Sequence, residues 1–157
     1  MKSKIFLLFT TLMLLFVSNS YSQSQYFNLK NLNSLSVNVQ DNTHLLSNTT
    51  TQKILSNIKL KLMSAGIKIG SLEKSEAHMV IKVDYIRSNF ASQRMFVQLD
   101  IYEHVSTNRK GDVKTSAITY NDYSLFRSTE PNTGIYNDIM NHLFVNFINK
   151  YINQMSS

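Results

Sequence analysis

The side chains of this chain that could hold a metal ion are its histidines and a few carboxylates. The four histidines are His44, His78, His104 and His142, and none belongs to a His-x-His or His-Glu-x-x-His pattern. If residues 79–86 and 95–106 pair as a hairpin, Asp84, Asp100 and His104 lie on one side of it. A histidine with one or two carboxylates can bind a divalent ion, so these three residues are a candidate metal site. The plainer interpretation is a solvated sheet face.

Other motifs of catalysis are missing from the sequence. It contains no GxSxG elbow, and its four glycines form neither GxGxxG nor a phosphate-binding GxxxxGK[ST] loop. It contains no cysteine, which excludes disulfides, a thiol nucleophile and thiolate metal ligands. We therefore expect a protein that is not an enzyme and that carries no cofactor.

Aromatic side chains form a stronger candidate site. In MFVQLDIYEHVS, residues 95–106, every second residue from Met95 to Ile101 is apolar, which predicts a strand with one buried face. Phe96 and Tyr102 lie on the other face, and strict alternation places Ile118 and Tyr120 of the next strand beside them. A contiguous exposed apolar patch marks a contact surface, so we expect these four side chains to bind a partner. The alternative is that a loop or the N-terminal lead-in covers them.

The N-terminus has the pattern of a cleaved secretory signal. Lys2 and Lys4 precede an apolar run over residues 5–17, which is too short for an ordinary membrane span. Ser20 and Ser22 place small residues at positions −3 and −1 of a cut after Ser22. We expect export to the periplasm or the cell exterior, with an uncleaved N-terminal anchor as the alternative.

Cleavage would leave one domain of ordinary size. We expect residues 1–22 to be the signal peptide, 23–33 a flexible lead-in and 34–157 a single domain without a transmembrane span. The chain has 16 basic and 10 acidic residues, and the basic residues are scattered along it. Because nucleic acid binding requires a concentrated basic patch, nucleic acid is not an expected partner.

Hydrophobic periodicity predicts the element order β-α-β-β-β-α, with a further short strand after the first helix. Alternating apolar residues indicate strands at 35–39, 79–85, 95–106 and 113–123. Apolar residues at helical spacing indicate helices over 49–65 and about 133–152. The fold expected from this order is α+β: a two-layer sandwich with a mostly antiparallel sheet and two helices on one face.

This order resembles small bacterial envelope proteins, namely the LptE-like lipopolysaccharide-assembly lipoproteins and the domain of curli-secretion-like lipoproteins. The stretches that carry the likeness are LSVNVQD, ILSNIKLKLMSAGI, AHMVIKVDYI, MFVQLDIYEHVS and IMNHLFVNFINKYI. Those families carry an acylated cysteine at the mature N-terminus, whereas this chain has Ser22-Gln23 there. The resemblance implies an envelope protein, without the lipid anchor of those families.

The sequence thus favours an exported, non-enzymatic binding or assembly protein of the bacterial cell envelope that acts through its aromatic sheet face. Its expected partner is an envelope protein or a second copy, and contact with lipid or glycan stays open. The alternative is a periplasmic protein that binds a small ligand or lipid between helices and sheet. A divalent-metal-dependent hydrolase is the third and least favoured class.

Overall fold

The computed structural model of the protein describes Leu29 and residues 32–86, 94–106 and 114–156. The predicted signal peptide of residues 1–22, with its cleavage site, lies outside the described residues. Most of the predicted lead-in also lies outside the described residues, as do most of the predicted turns near residues 88–93 and 106–112.

Five strands form one mixed sheet in the order β2-β1-β3-β4-β5. Their bounds are β1 Ser34–Asp41, β2 Lys68–Ile69, β3 Ala77–Ile86, β4 Arg94–Ser106 and β5 Lys114–Phe126. The predicted meander is present, since β3, β4 and β5 pair antiparallel. β1 pairs in parallel with both β2 and β3, because the chain crosses back through a helix between them.

That crossover helix, α1, spans Asn48–Ser64. The hydroxyl of Ser47 accepts a hydrogen bond from the backbone N–H of Thr50 at 3.1 Å and caps its first turn. Gly66 follows its last turn with φ of +86°, a left-handed conformation that favours glycine. Ile54, Ile58 and Leu62 recur at four-residue spacing and are fully buried.

The second helix, α2, runs from Pro131 to Met155 in three segments. It begins as an α-helix over Pro131–Asp138, widens into one π-helical turn over Ile139–Leu143 and continues as an α-helix over Phe144–Met155. Asn57 of α1 donates a hydrogen bond to the Tyr136 hydroxyl at 2.8 Å, which joins the two helices. No described helix is both long and apolar enough to cross a membrane.

Both helices pack on one face of the sheet, and the α+β sandwich predicted from the sequence is confirmed. The buried side chains of the two helices and of that sheet face form a single hydrophobic core. Leu29 and Leu32, from the segment predicted to be a flexible lead-in, are also buried in this core. The backbone N–H of Leu29 donates to the Gln154 side chain of α2 at 2.7 Å, so the packed domain begins before residue 34.

A β-bulge in β5 changes which of its side chains face the core. Ile101 pairs with Tyr120 while Tyr102 pairs with Ile118, which leaves Thr119 as an extra residue. Tyr120 therefore faces the helices, where it is fully buried and its ring meets that of Phe147 edge-on at 5.3 Å. The expectation that Tyr120 lies on the exposed face is wrong, because strict alternation fails at the bulge.

Two nearby tyrosines of β5 provide a test of this register. Tyr120→Ala should lower the free energy of unfolding by about 3–5 kcal/mol, because it empties a buried ring site beside Phe147. Tyr123→Ala, at a side chain 62% exposed, should cost less than about 1 kcal/mol. Urea unfolding of both variants measures this, and an equal loss at the two positions would contradict the bulge.

Candidate functional site

The outer face of the sheet, opposite the helices, carries the candidate site. It is built from the alternate side chains of β1, β3, β4 and β5 that point away from the core. Strand register aligns Asp100 of β4 with Asn121 of β5, and Lys82 of β3 with Gln98 of β4. Long polar side chains from three strands thus meet at the centre of this face.

At that centre, the Asp100 network consists of Asp100, Lys82, Gln98, Tyr102 and Asn121. The Asp100 carboxylate is fully buried although it lies on the side without helices, because the other four side chains cover it. Lys82 Nζ donates to Asp100 Oδ2 at 2.8 Å, and Gln98 Nε2 lies 2.8 and 2.9 Å from the two carboxylate oxygens. Asn121 donates to Oδ1, and the Tyr102 hydroxyl donates to Oδ2 at 3.2 Å.

The network holds both of its charges at neutral pH. Burial by itself would raise the pKa of Asp100, but hydrogen bonds from Gln98, Lys82 and Asn121 outweigh it and bring that pKa below its ordinary value. Hydrogen bonds to Asp100 and Tyr102 raise the pKa of Lys82 against a smaller opposing effect of burial. The result is a shielded ion pair with fixed neighbours.

An apolar rim borders the network along β4 and β5. It consists of Phe96, Ile118, Tyr123 and Leu125. Ile118, Tyr123 and Leu125 are 50%, 62% and 43% exposed. Phe96 is half-buried, pairs with Leu125 across the strands and has its ring 6.0 Å from that of Tyr123. Phe96, Tyr123 and Leu125 are thus neighbours at one end of the network, and Ile118 lies beside Tyr102 at its other end.

The structure brings together part of the predicted binding residues. Phe96, Tyr102 and Ile118 lie on the outer face, and Tyr120 lies in the core. Sequence reasoning missed Tyr123 and Leu125, because alternation counted without the bulge turns them inward. It also missed the partners of Asp100, whose polar side chains carry no signal of their mutual contact in the sequence.

The candidate metal residues Asp84, Asp100 and His104 share the outer face but do not converge. Asp84 pairs with Phe96, eight residues before His104 along β4, which is a separation of about 26 Å. Among the described residues, no three histidine, cysteine or carboxylate side chains come together in a way that could hold a metal ion. This expected arrangement is therefore wrong in its geometry.

A groove of about 320 Å³ lies between the two helices. Phe144, Val145, Ile148 and Ile152 of α2 provide its apolar wall. Lys61 and Ser64 of α1 line its other side, together with Ala65, which follows that helix. The space between the helices and the sheet, where the alternative interpretation placed a small ligand or lipid, holds the core side chains. Ligand binding stays a prediction.

Comparison with known proteins gives only distant structural likenesses. No family model matches the chain. No curated protein matches its sequence either. A specific LptE-like membership therefore stays a prediction.

Similar solved structures include three bacterial proteins, each 9% identical to this chain. A hypothetical protein from Chlamydia trachomatis has a TM-score of 0.42, with 76% of this chain and 96% of that one covered. A minor lipoprotein from Acinetobacter baumannii has a TM-score of 0.32, with 80% and 93% covered. A PelC dodecamer from Paraburkholderia phytofirmans has a TM-score of 0.34, with 79% and 86% covered. Likenesses of this size do not bear on the function of this chain.

Replacing the buried carboxylate tests the Asp100 network. Asp100→Asn should lower the free energy of unfolding at pH 7 by about 2–3 kcal/mol, because an amide N–H₂ would then face the donors of Lys82, Gln98 and Asn121. A carboxylate with a lowered pKa stabilises the fold above its unfolded pKa, and this contribution is lost as the pH falls through the lowered value. The difference in the free energy of unfolding between variant and parent should therefore become smaller at pH values below 3.8, the ordinary pKa of an aspartate.

Urea unfolding at pH 7 and pH 3 measures this difference. Asp84→Asn is the matched control, since Asp84 lies on the same face and accepts a hydrogen bond from the backbone N–H of Tyr85. That control should change the free energy little at either pH. If Asp100→Asn lowers the free energy of unfolding by the same amount at pH 7 and pH 3, the ionised network does not contribute to stability.

Proposed function

We propose that this chain is an exported protein of the bacterial cell envelope that works by binding, through the outer face of its sheet. The observation that carries the proposal is the apolar rim beside the Asp100 network. Ile118, Tyr123 and Leu125 expose apolar surface next to an ion pair whose carboxylate is fully buried and whose Lys82 side chain is 32% exposed. The proposed partner is another envelope protein or a second copy of the chain.

The arrangement suits the recognition of a protein surface. Exposed aromatic and aliphatic side chains gain free energy when a partner removes them from water, and they dominate the energy of many interfaces. The Asp100 network is already paired and ordered on the strands, so little side-chain freedom is lost on binding. Tyr102 belongs to the network and lies beside Ile118 of the rim, which joins the polar and apolar parts.

Binding is a better use of these groups than catalysis. A general acid or base must exchange a proton near the working pH. The pKa of Asp100 is lowered and that of Lys82 is raised, so both stay ionised through the neutral range. Asp100 accepts hydrogen bonds on both oxygens, which uses its charge to hold four neighbours in place.

Export rests on the N-terminal residues, so it is tested by processing. The protein isolated from its own cells should begin at Gln23 and be found in the envelope or the medium. Leu14→Arg places a charge in the apolar run and should leave the chain uncut inside the cell. Leu60→Arg, the same change at a side chain 58% exposed on α1, should be processed normally. Intact-mass measurement of the fractions decides, and an uncut chain of native sequence that remains inside the cell would contradict export.

The binding face is tested by photo-crosslinking in the native cell. A benzophenone amino acid in place of Tyr123 should capture an exported protein or a second copy, whereas the same group in place of Leu60 should not. Both positions are exposed, so a difference in capture distinguishes the outer face of the sheet from the helical layer. Adding Ile118→Arg should reduce the product from position 123 at least tenfold without lowering the melting temperature, because it buries a charge in the interface. Equal capture from both positions would overturn the proposal.

A further inference from the structure

Two histidines meet on the outer face, at the end of β4 away from Phe96. His78 of β3 and His104 of β4 have ring centres 5.6 Å apart, with the rings at 84° to each other. Strand register places His78 opposite Tyr102, two residues before His104, so the two imidazoles are diagonal neighbours. His104 is exposed and His78 is half-buried, which leaves the pair open to solvent on one side.

A serine hydroxyl contacts one nitrogen of each ring. Ser36 Oγ of β1 lies 2.8 Å from His78 Nδ1, and Ser116 Oγ of β5 lies 3.5 Å from His104 Nδ1. Histidines that bind metals are typically oriented by a hydrogen bond to the nitrogen that does not bind. Ser36 is such a neighbour at Nδ1 of His78, and Ser116 lies farther from Nδ1 of His104, which leaves Nε2 of each ring as the candidate ligand atom.

We propose that His78 and His104 form a two-histidine site for a borderline divalent metal ion, of which Zn²⁺ is the test case. Two imidazoles that share one zinc ion at about 2.0–2.1 Å have ring centres about 5–6 Å apart, and the observed separation lies in this range. The exposed His104 ring can turn to bring its nitrogen to the shared ion. Imidazole nitrogens select Zn²⁺, Cu²⁺ or Ni²⁺ over Mg²⁺ and Ca²⁺, which prefer oxygen ligands.

The histidine geometry assigns two protein ligands to the site. In the described part of the chain no third histidine, cysteine or carboxylate completes a three-ligand group. The proposal depends on the histidine geometry alone, and it stands whether or not the apolar rim binds a partner.

Calorimetric titration of the untagged mature protein tests the site. ZnCl₂ at pH 7.5 should give saturable binding of one ion per chain, or of one ion per two chains with dimer formation, and MgCl₂ should give none. His78→Ala and His104→Ala should each weaken Zn²⁺ binding tenfold or more, while Ser36→Ala should weaken it by about tenfold through the lost contact to His78. Zinc should also raise the melting temperature of the parent protein, because it binds the folded state.

Two further histidines provide matched controls. His44→Ala and His142→Ala should bind Zn²⁺ as the parent does, since both lie away from the pair. Circular dichroism without metal verifies that each variant is folded, and a ¹⁵N shift of the Nε2 resonances on adding Zn²⁺ reports direct coordination. Absence of zinc binding, or equal weakening by the control substitutions, would overturn the proposal. Such a result would leave the crosslinking expected from position 123 unchanged, because the zinc site and the binding face are separate proposals.

Discussion

The single extra residue at Thr119 determines which side chains of β5 lie on each face of the sheet. In a strand, a shift of one residue exchanges the side chains of the two faces, so a bulge reverses the pattern from that point onward. Beyond it, Tyr120 packs beneath α2 on Phe147, while Asn121 turns outward to Asp100. Tyr123 also turns outward and becomes part of the exposed surface. The core under α2 and the apolar rim on the other side therefore depend on the same irregularity.

The bulge also turns two polar side chains of β5 toward the helices, and α2 provides partners for them. The Ser124 hydroxyl donates to the Asp138 carboxylate at 2.9 Å, and Asn146 donates to Asp122 at 3.0 Å. Burial raises the pKa of Asp138, even though the contacts with Ser124 and His142 oppose that rise. These contacts lie where α2 widens into its π-helical turn, so the helix is irregular at the place where it packs on polar strand residues.

Local patterns in the sequence were enough to predict the sandwich but not its details. Alternation in β3 and β4 and the four-residue spacing of Ile54, Ile58 and Leu62 predicted strands and a helix that the structure contains. The position of β1 between β2 and β3 arises from pairing between distant residues, which local periodicity does not encode. Leu29 and Leu32 belong to the core, although the polar residues around them predict a flexible lead-in.

Local alternation also predicts only part of the candidate site. The outward positions of Phe96 and Tyr102 follow from regular alternation, which holds where β4 pairs with β3. The bulge has no sequence signature, so Ile118 before it was assigned correctly but the outward residues of β5 beyond Thr119 could not be. The closure of Asp100 by its neighbours depends on rotamers of long polar side chains from three strands, and a one-dimensional pattern contains no information on them.

The parallel pairing of β1 also has a consequence for folding kinetics. β3, β4 and β5 follow one another along the chain, so their pairing closes short loops. The pairing of Leu35 with Ala77 closes a loop of about 40 residues, at a greater entropic cost. The antiparallel meander is thus expected to form first, with β1 and α1 joining later. Until they do, the N–H and C=O groups along the edge of β3 remain open to other chains, so the rate at which β1 docks sets how long the chain is prone to aggregate.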